Sequence, residues 1–564
     1  MLEEHELSGQ ARARPASARW VYPLWGFFGA CICLVAMLSV PSYGVSWDAV
    51  FRSSAGEQKL AYYEALVSGN LTEAASLREA ADRYPGLFDL LNALARRVLP
   101  LEDYLVGQML SMSFGLFGIF GCMLLGRQCF GPWAGLFAGI ALVCSMRYWG
   151  HLFINPKDIP FAAMFIWGTW AWMRMLGRHD WSWRSAVLFG GFLGASMSVR
   201  IGGLLLLFYA SLFLVLPLLA GLRGEIAAGK AKIAEVARFV RWLCLAAITG
   251  FAVLAVFWPA LHENPFGATV STLRTVSDFG WEGIVRYDGQ WLRVHELPPT
   301  YLLNWFAITL PDLWLVAVLA ALIVSLWKRQ AIQAALAARL DLLYVLASLL
   351  FMAAFPLIYI FLKGSTVYDG LRHVLFILPI LAVLVGFLLV QVTSALSARK
   401  ELILLWYGLV ALGITAAAVD GIRLHPYQYT YFNRISGGLA KQGANYESDY
   451  WGTAYREGAE MLSSDLPSKP GGRPWRLTME PPLEPLVQLL GKAVVPPPAL
   501  VQPFLREDIE LVGADEDPEL YIASTRMDYH RMRRGVVLVE IERAGSALLQ
   551  VKLLAADKPV QKID

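Results

Sequence analysis

Charge is what this sequence has least of. Only 16% of its 564 residues are Asp, Glu, Lys or Arg, while 57% are hydrophobic; a soluble domain carries roughly 25% charged residues. That deficit excludes an ordinary soluble globular protein of this length. The formal net charge is +3, so no nucleic acid partner is implied. Cysteine is sparse and confined: Cys31, Cys33, Cys122, Cys129, Cys144 and Cys244 all fall in or beside apolar segments. Neither a disulfide framework nor a thiolate metal site is implied, and the six read as small buried hydrophobes. Gly-rich dinucleotide, Walker and zinc-protease patterns are missing from any supporting context. There is no internal repeat and no long low-complexity stretch.

What the chain has instead is a series of apolar runs. They lie at 21–41, 104–125, 132–148, 159–176, 183–201, 202–220, 242–260, 306–326, 341–362, 373–391 and 402–419. A helix needs about 20 apolar residues to span a bilayer, so the series predicts a mainly α membrane protein with about eleven transmembrane helices. The stretch 183–220 is too long for one span, and Arg200-Ile201-Gly202-Gly203 is its natural break. The first run resembles a signal peptide in position only. It is long enough to span, its preceding segment is mixed in charge, and no small-residue cleavage site follows, so it reads as a retained helix.

Lys and Arg set the orientation. They gather on short connections, Arg12, Arg14 and Arg19 before the first run, Arg174, Arg178 and Arg184 later, then Arg223, Lys230, Lys232, Arg238 and Arg241. This places residues 1–20 in the cytoplasm, the domain 21–419 in the membrane, and the tail 420–564 outside, with long outer loops at 42–103 and 261–305. The 20 Trp and 22 Tyr suit a protein with two lipid–water interfaces. Loop 42–103 has helical apolar spacing at Leu60, Tyr63 and Leu66, and again at Leu87, Leu90, Leu91 and Leu94. In the tail, a helix is expected near 453–464. Strands are expected at Arg476–Glu480, Leu520–Ser524, Val536–Ile541 and Leu548–Leu553, making a small α/β soluble domain.

Under this topology four ionisable clusters meet the outer interface: Asp48, Lys157-Asp158, Arg200, and Tyr368-Asp369-Gly370-Leu371-Arg372-His373. Taken singly, each reads as an ordinary helix-capping loop charge. Taken together they describe a cleft of acids beside cations, suited to an anionic lipid headgroup, because charge at membrane depth is costly unless paired or facing a cavity. Trp47, Tyr148, Trp149, Trp281, Tyr287, Trp291, Tyr301 and Trp305 crowd the same face. An interfacial belt explains them as well as stacking on a sugar or prenyl chain does.

Several segments together resemble a known family. They are Ser46-Trp47-Asp48, HLFINPKDIPFAAMF (151–165), Ser198-Val199-Arg200, LPPTYLLNWFAITLP (297–311), YDGLRH (368–373), HPYQYTYFN (425–433) and Asp449-Tyr450-Trp451-Gly452. In order and topology they are similar to the GT-C clan of bacterial lipid-linked-sugar glycosyltransferases, especially glycosyltransferase family 39, which includes protein mannosyltransferases and aminoarabinose transferases. The resemblance covers residues 1–455 and implies a GT-C-like bundle. It also implies a polyprenyl-phosphate sugar donor, a protein, lipid or glycan acceptor, membrane lipids as surroundings, and a place in the cell inner (plasma) membrane.

The resemblance also implies roles. Asp48 would be the catalytic base, and Asp158 a second acid and electrostatic partner. Lys157, Arg200, Arg372 and His373 would hold the carrier phosphate. Trp47, Tyr301, Tyr368 and Asp369 would contact substrate. No particular cofactor is implied; a divalent metal ion stays open, with Asp48 and Asp158 as its candidate ligands. The family often has an Asp-Glu pair in the first loop, but here Ala49 follows Asp48. Two other classes compete. A transporter or flippase would carry polar groups at mid-membrane and repeated halves. A non-enzymatic assembly or sensor subunit would depend on its tail rather than on Asp48 and Asp158.

Overall fold

A computed structural model of the chain describes residues 18–80, 84–178, 181–222, 229–277, 280–337, 339–481 and 495–555. Nearly all of segment 1–20, expected in the cytoplasm, lies outside the described residues, and Arg12 and Arg14 with it, as does Arg223.

The chain opens with helices α1 (Ala18–Ser39), α2 (Trp47–Val67), α3 (Leu71–Ala80), α4 (Leu87–Val98), α5 (Asp103–Phe130), α6 (Pro132–Cys144) and α7 (Met146–Ile154). It continues with α8 (Asp158–Arg178), α9 (Trp183–Met197), α10 (Leu204–Leu222), α11 (Gly229–Phe257) and α12 (Pro265–Ser277). After a β-hairpin come α13 (Tyr301–Thr309), α14 (Asp312–Trp327), α15 (Arg329–Ala337), α16 (Leu340–Lys363), α17 (Leu378–Leu396) and α18 (Lys400–Leu424). The tail adds α19 (Gly438–Gln442) and α20 (Ala454–Asp465).

Every apolar run read from the sequence lies on these helices, but not every run is one straight crossing. Among the described residues six helices are long and apolar enough to cross a membrane, or eight if each of two bent pairs is one span. This is a multi-pass membrane protein. One bent pair is α6 and α7, which turn through 71° at Ser145; the other is α13 and α14, which turn through 96°. At the second bend Pro311 cannot donate a backbone hydrogen bond and disfavours helix before it, so the chain must break there. The runs at 159–176, 183–201 and 202–220 fall on α8, α9 and α10. Helix α9 has 15 residues, short of the roughly 20 that a perpendicular crossing needs.

Small residues let the helices approach. A side chain at Gly190 or Gly194 of α9 would meet the carbonyl oxygens of Ala246 or Gly250 on α11 at 2.5 and 2.4 Å. Both pairs are spaced by four residues, the small-xxx-small arrangement that replaces hydrophobic driving force inside a bilayer. Helix α5 packs between α6 and α8, and α17 closes on α6.

The expected tail helix and strands are present. Strands β3 (Trp475–Thr478), β4 (Ile509–Leu511), β5 (Leu520–Ser524), β6 (Gly535–Arg543) and β7 (Ser546–Leu554) form one mixed sheet in the order β4-β3-β5-β7-β6. The hairpin between α12 and α13 is β1 (Ile284–Tyr287) and β2 (Gln290–Arg293); we number these by chain order. The hairpin lies within 261–305, read from the sequence as a long loop. Its turn, Asp288-Gly289, has φ of 51° and 78°, the left-handed pair that a tight two-residue hairpin requires.

Candidate active site

Four stretches of chain deliver side chains to one point at the end of the bundle. Asp48 arrives in the first turn of α2. Ser46 caps that helix, accepting from the Ala49 backbone N–H at 3.3 Å, and its hydroxyl donates to the Ile154 carbonyl at 2.6 Å. The positive end of the helix dipole favours a carboxylate here. Trp47 donates its backbone N–H to the Trp451 carbonyl at 3.1 Å, which ties the first loop to the tail.

Asp158 begins α8, and Asn155 builds its setting. The Asn155 side-chain oxygen accepts from the backbone N–H groups of Lys157 at 3.2 Å and Asp158 at 2.8 Å. Its amide donates to Asp158 Oδ2 and to His151 Nδ1, both at 2.9 Å. With Nδ1 accepting, His151 carries its proton on Nε2, 3.0 Å from the Tyr450 hydroxyl. One asparagine thereby caps a helix, aims a carboxylate and sets a histidine tautomer.

Arg372 joins the acids. Its guanidinium lies 2.9 Å from Asp48 and from Asp369, and 3.6 Å from Asp158. The rings of Trp451 and Tyr368 cover it at 4.5 and 5.5 Å. Arg200 pairs with Asp158 from the other side. Asp369 is shared with Arg526 of the C-terminal domain at 3.3 Å. Lys157 rests on the Tyr84 ring at 4.5 Å, with no carboxylate in ion-pair reach among the described residues. Burial first, and Arg200 second, push its ammonium down to about 8. His373 packs edge-on to Tyr368 at 4.7 Å, and its Nδ1 is buried without a partner among the described residues.

The three acids differ in access. The side chain of Asp48 is 25% exposed, whereas those of Asp158 and Asp369 are 3% and 2% exposed. A proton acceptor must be reachable by substrate, and of the three carboxylates Asp48 alone is open while the other two are closed in against guanidinium groups. Trp47 and Tyr368 are half-buried beside them, and Tyr368 stacks on Trp281 at 4.2 Å. Tyr301 does something other than line the cleft. It is buried, and its hydroxyl accepts from the Gly370 N–H at 3.0 Å, supporting from beneath a turn in which Asp369 and Gly370 both have positive φ.

Asp48 and Asp158 do not suit a metal ion. A guanidinium already reaches both carboxylates. Among the described residues no group of three or more His, Cys, Asp or Glu could hold a metal. No step is routed through one.

Sequence reasoning passed over several participants. His151, Asn155 and Tyr450 sit inside motifs quoted for the resemblance, so their local signal was present. Arg147 is buried under Trp305 and Phe432, 4.9 Å from each ring, and donates from Nε to the Tyr431 carbonyl at 2.9 Å. Arg526 and Glu447 lie in stretches with no distinguishing pattern, and only the fold brings them near Asp369.

The family described as dolichyl-phosphate-mannose-protein mannosyltransferase matches residues 102–225, the stretch that carries Lys157, Asp158 and Arg200. No curated protein matches the sequence. Among solved structures, ArnT from Cupriavidus metallidurans in the apo state is 13% identical, with 94% of this chain and 98% of that one covered and a TM-score of 0.44. The same protein bound to undecaprenyl phosphate is 14% identical, with 95% and 99% covered and a TM-score of 0.42. The apo Archaeoglobus fulgidus oligosaccharyltransferase is 14% identical, with 71% and 54% covered and a TM-score of 0.41.

Proposed function

We propose that this protein is a membrane glycosyltransferase that moves a sugar from a polyprenyl-phosphate carrier to an acceptor on the outer face of the bilayer. The observation that carries the reading is the ion-paired chain Asp48–Arg372–Asp158–Arg200. It ends in an accessible acid on one side and a cation beside Lys157 on the other. The family match over 102–225 spans the cationic half and is consistent with a polyprenyl-phosphate donor.

In this reading the anionic carrier phosphate rests against Lys157 and Arg200, with Arg372 and His373 behind them. Asp48 takes the proton from the acceptor hydroxyl or amine as its lone pair attacks the anomeric carbon. The bond from that carbon to the carrier oxygen breaks, and the phosphate leaves with the electron pair, its charge stabilised by the cations. Displacement from the opposite face inverts the anomeric centre. The donor arrives activated, which fits a chain without a nucleotide-binding motif.

Orientation belongs to the same proposal: N-terminus cytoplasmic, site and C-terminal domain periplasmic, in the inner membrane. In support, helix α2 and the tail meet at one end of the bundle, where Trp47 bonds to Trp451 and Arg456 donates to the Tyr43 carbonyl at 2.9 Å.

The test is transfer of labelled sugar from polyprenyl-phosphate donors in proteoliposomes. Asp48→Asn should lose activity by about 10²–10⁴-fold, the usual worth of a general base, while still binding donor. Full activity in that variant would remove Asp48 from the mechanism. Mass spectrometry of cell-envelope glycans and glycoproteins with and without the gene identifies the acceptor.

A further inference from the structure

We infer that the C-terminal domain completes a second polar pocket, built to hold a single uncharged sugar ring. A cavity of about 230 Å³ lies where the β1–β2 hairpin, the segment 440–450 and the loops of the C-terminal sheet meet. Trp291, Tyr446, Glu447, Arg526, Asp528 and His530 are among the residues lining it. Sites for drug-sized ligands run to about 300–1,000 Å³, so this cavity takes one small ring rather than a chain.

Two of its most buried side chains are not fully satisfied among the described residues. Glu447 is 5% exposed and His530 9% exposed, yet among the described residues Glu447 Oε1 and His530 Nδ1 have no hydrogen-bond partner. Buried polar atoms are nearly always bonded, so unbonded ones in residues that line a cavity point to a ligand there.

The charges lining the pocket are of both signs and face one another, although Asp528 Oδ1 and Arg286 Nε have no hydrogen-bond partner among the described residues. Arg526 is spent on Asp369 and on the Tyr450 carbonyl. Asp528 accepts from the Trp291 indole N–H at 2.9 Å and pairs with Arg286 at 3.7 Å. Arg531, at the rim, is exposed and 4.0 Å from the same carboxylate. Burial, reinforced by Asp369 and offset by Arg526, pushes the Glu447 carboxyl up to about 8. That shift favours the protonated carboxyl, which donates as well as accepts. Charges of both signs, a carboxyl shifted toward its neutral form, an imidazole and two aromatic rings suit a hydroxylated ring better than a phosphate, carboxylate or ammonium group.

The pocket lies on the Asp369 side of Arg372, whereas Lys157 and Arg200 approach from the Asp158 side. Arg526 bridges the two regions, with its guanidinium 5.8 Å from the Trp47 ring and bonded to Asp369. On the sugar-transfer reading, this is the acceptor side, and the occupant is a sugar of an acceptor glycan or glycolipid. That last assignment rests on the proposed function; the sugar pocket itself does not.

The experiment is saturation-transfer NMR on the full-length protein in detergent with methyl α-glucoside, methyl α-mannoside and N-acetylglucosamine. At least one should receive saturation. The signal should fall by about fivefold or more in Glu447→Ala, the effect of one lost hydrogen bond, and equally in Ala444→Trp, which fills the mouth from an exposed rim position. Asp48→Asn should keep it. No signal from any of the three, or a signal unchanged in both pocket variants, overturns the inference. Transfer measured on the same proteins separates the two ideas. Sugar binding without transfer from any polyprenyl-phosphate donor sinks the catalytic reading and leaves the pocket standing. Transfer to a peptide that Ala444→Trp does not slow overturns the pocket as the acceptor site.

Discussion

Asp48 and Arg372 are 324 residues apart in the chain and 2.9 Å apart in space. The contact closes the loop after α1 onto the turn that leads into α17, and it places the accessible acid against the cation that also holds Asp369 and reaches Asp158.

Removing that cation leaves buried carboxylates facing one another. Arg372→Met should destabilise the protein by roughly 3–5 kcal/mol, the usual effect of breaking a buried pair from one side. Thermal unfolding in detergent measures it. Arg372→Lys should fold better than Arg372→Met yet transfer poorly, because one ammonium cannot reproduce the planar fork that serves Asp48 and Asp369 together. Equal unfolding temperatures for Arg372→Met and the parent protein would contradict the burial assigned to the network.

Lys157 supplies a pH dependence. Burial and Arg200 hold its pKa down to about 8, so the ammonium is present below that pH and lost above it. If it meets the carrier phosphate, the KM for donor should rise as pH passes from 7 to 9. Lys157→Arg should abolish that rise, since a guanidinium stays charged throughout. A donor KM flat across this range in the parent protein would exclude Lys157 from phosphate binding.

The turn at Asp369-Gly370 should resist substitution. Gly370 has a φ of +69°, and a side chain there would come within 3.3 Å of the Trp305 ring. Gly370→Ala should cost about 1–2 kcal/mol in backbone strain alone. Tyr301→Phe removes the acceptor of the Gly370 N–H and should cost roughly 1–3 kcal/mol. Both should lower kcat more than they change donor KM, because they move Asp369 and Arg372 rather than the cations on the Asp158 side. Steady-state kinetics beside unfolding curves make the comparison.

Asn155→Asp separates capping from network. As a helix cap, Asp serves about as well as Asn. Here it would set a second carboxylate 2.9 Å from Asp158 and could no longer donate to His151. The variant should therefore be destabilised and lose activity, whereas Asn155→Ser, which keeps a capping oxygen without adding charge, should retain more of both. Parity between the parent and Asn155→Asp would mean that the network does not constrain Asp158.

How much of this was legible beforehand depends on the range of the cause. Val21–Val40, the tail strands and the break at Arg200–Gly203 follow from run length, alternation and local breakers, which operate over a few residues. Asp288-Gly289 is equally local, and the hairpin it makes is readable from the dipeptide and its flanking apolar residues. The bend at Pro311 had its signal too. The clusters around Asp48, Lys157-Asp158, Arg200 and Arg372 could be assigned to one membrane face from topology alone, but face is not contact.

By itself, the sequence determined that the chain is a multi-pass helical membrane protein with a mixed soluble tail, because apolar length and periodicity are short-range properties of the backbone and its solvent. Only the tertiary structure decided which acid stays open and which two are locked, that Tyr301 supports a turn, and that Glu447 and Arg526 reach the same site from the tail. Those outcomes are set by burial and by pairing between charges hundreds of residues apart, which no local pattern encodes.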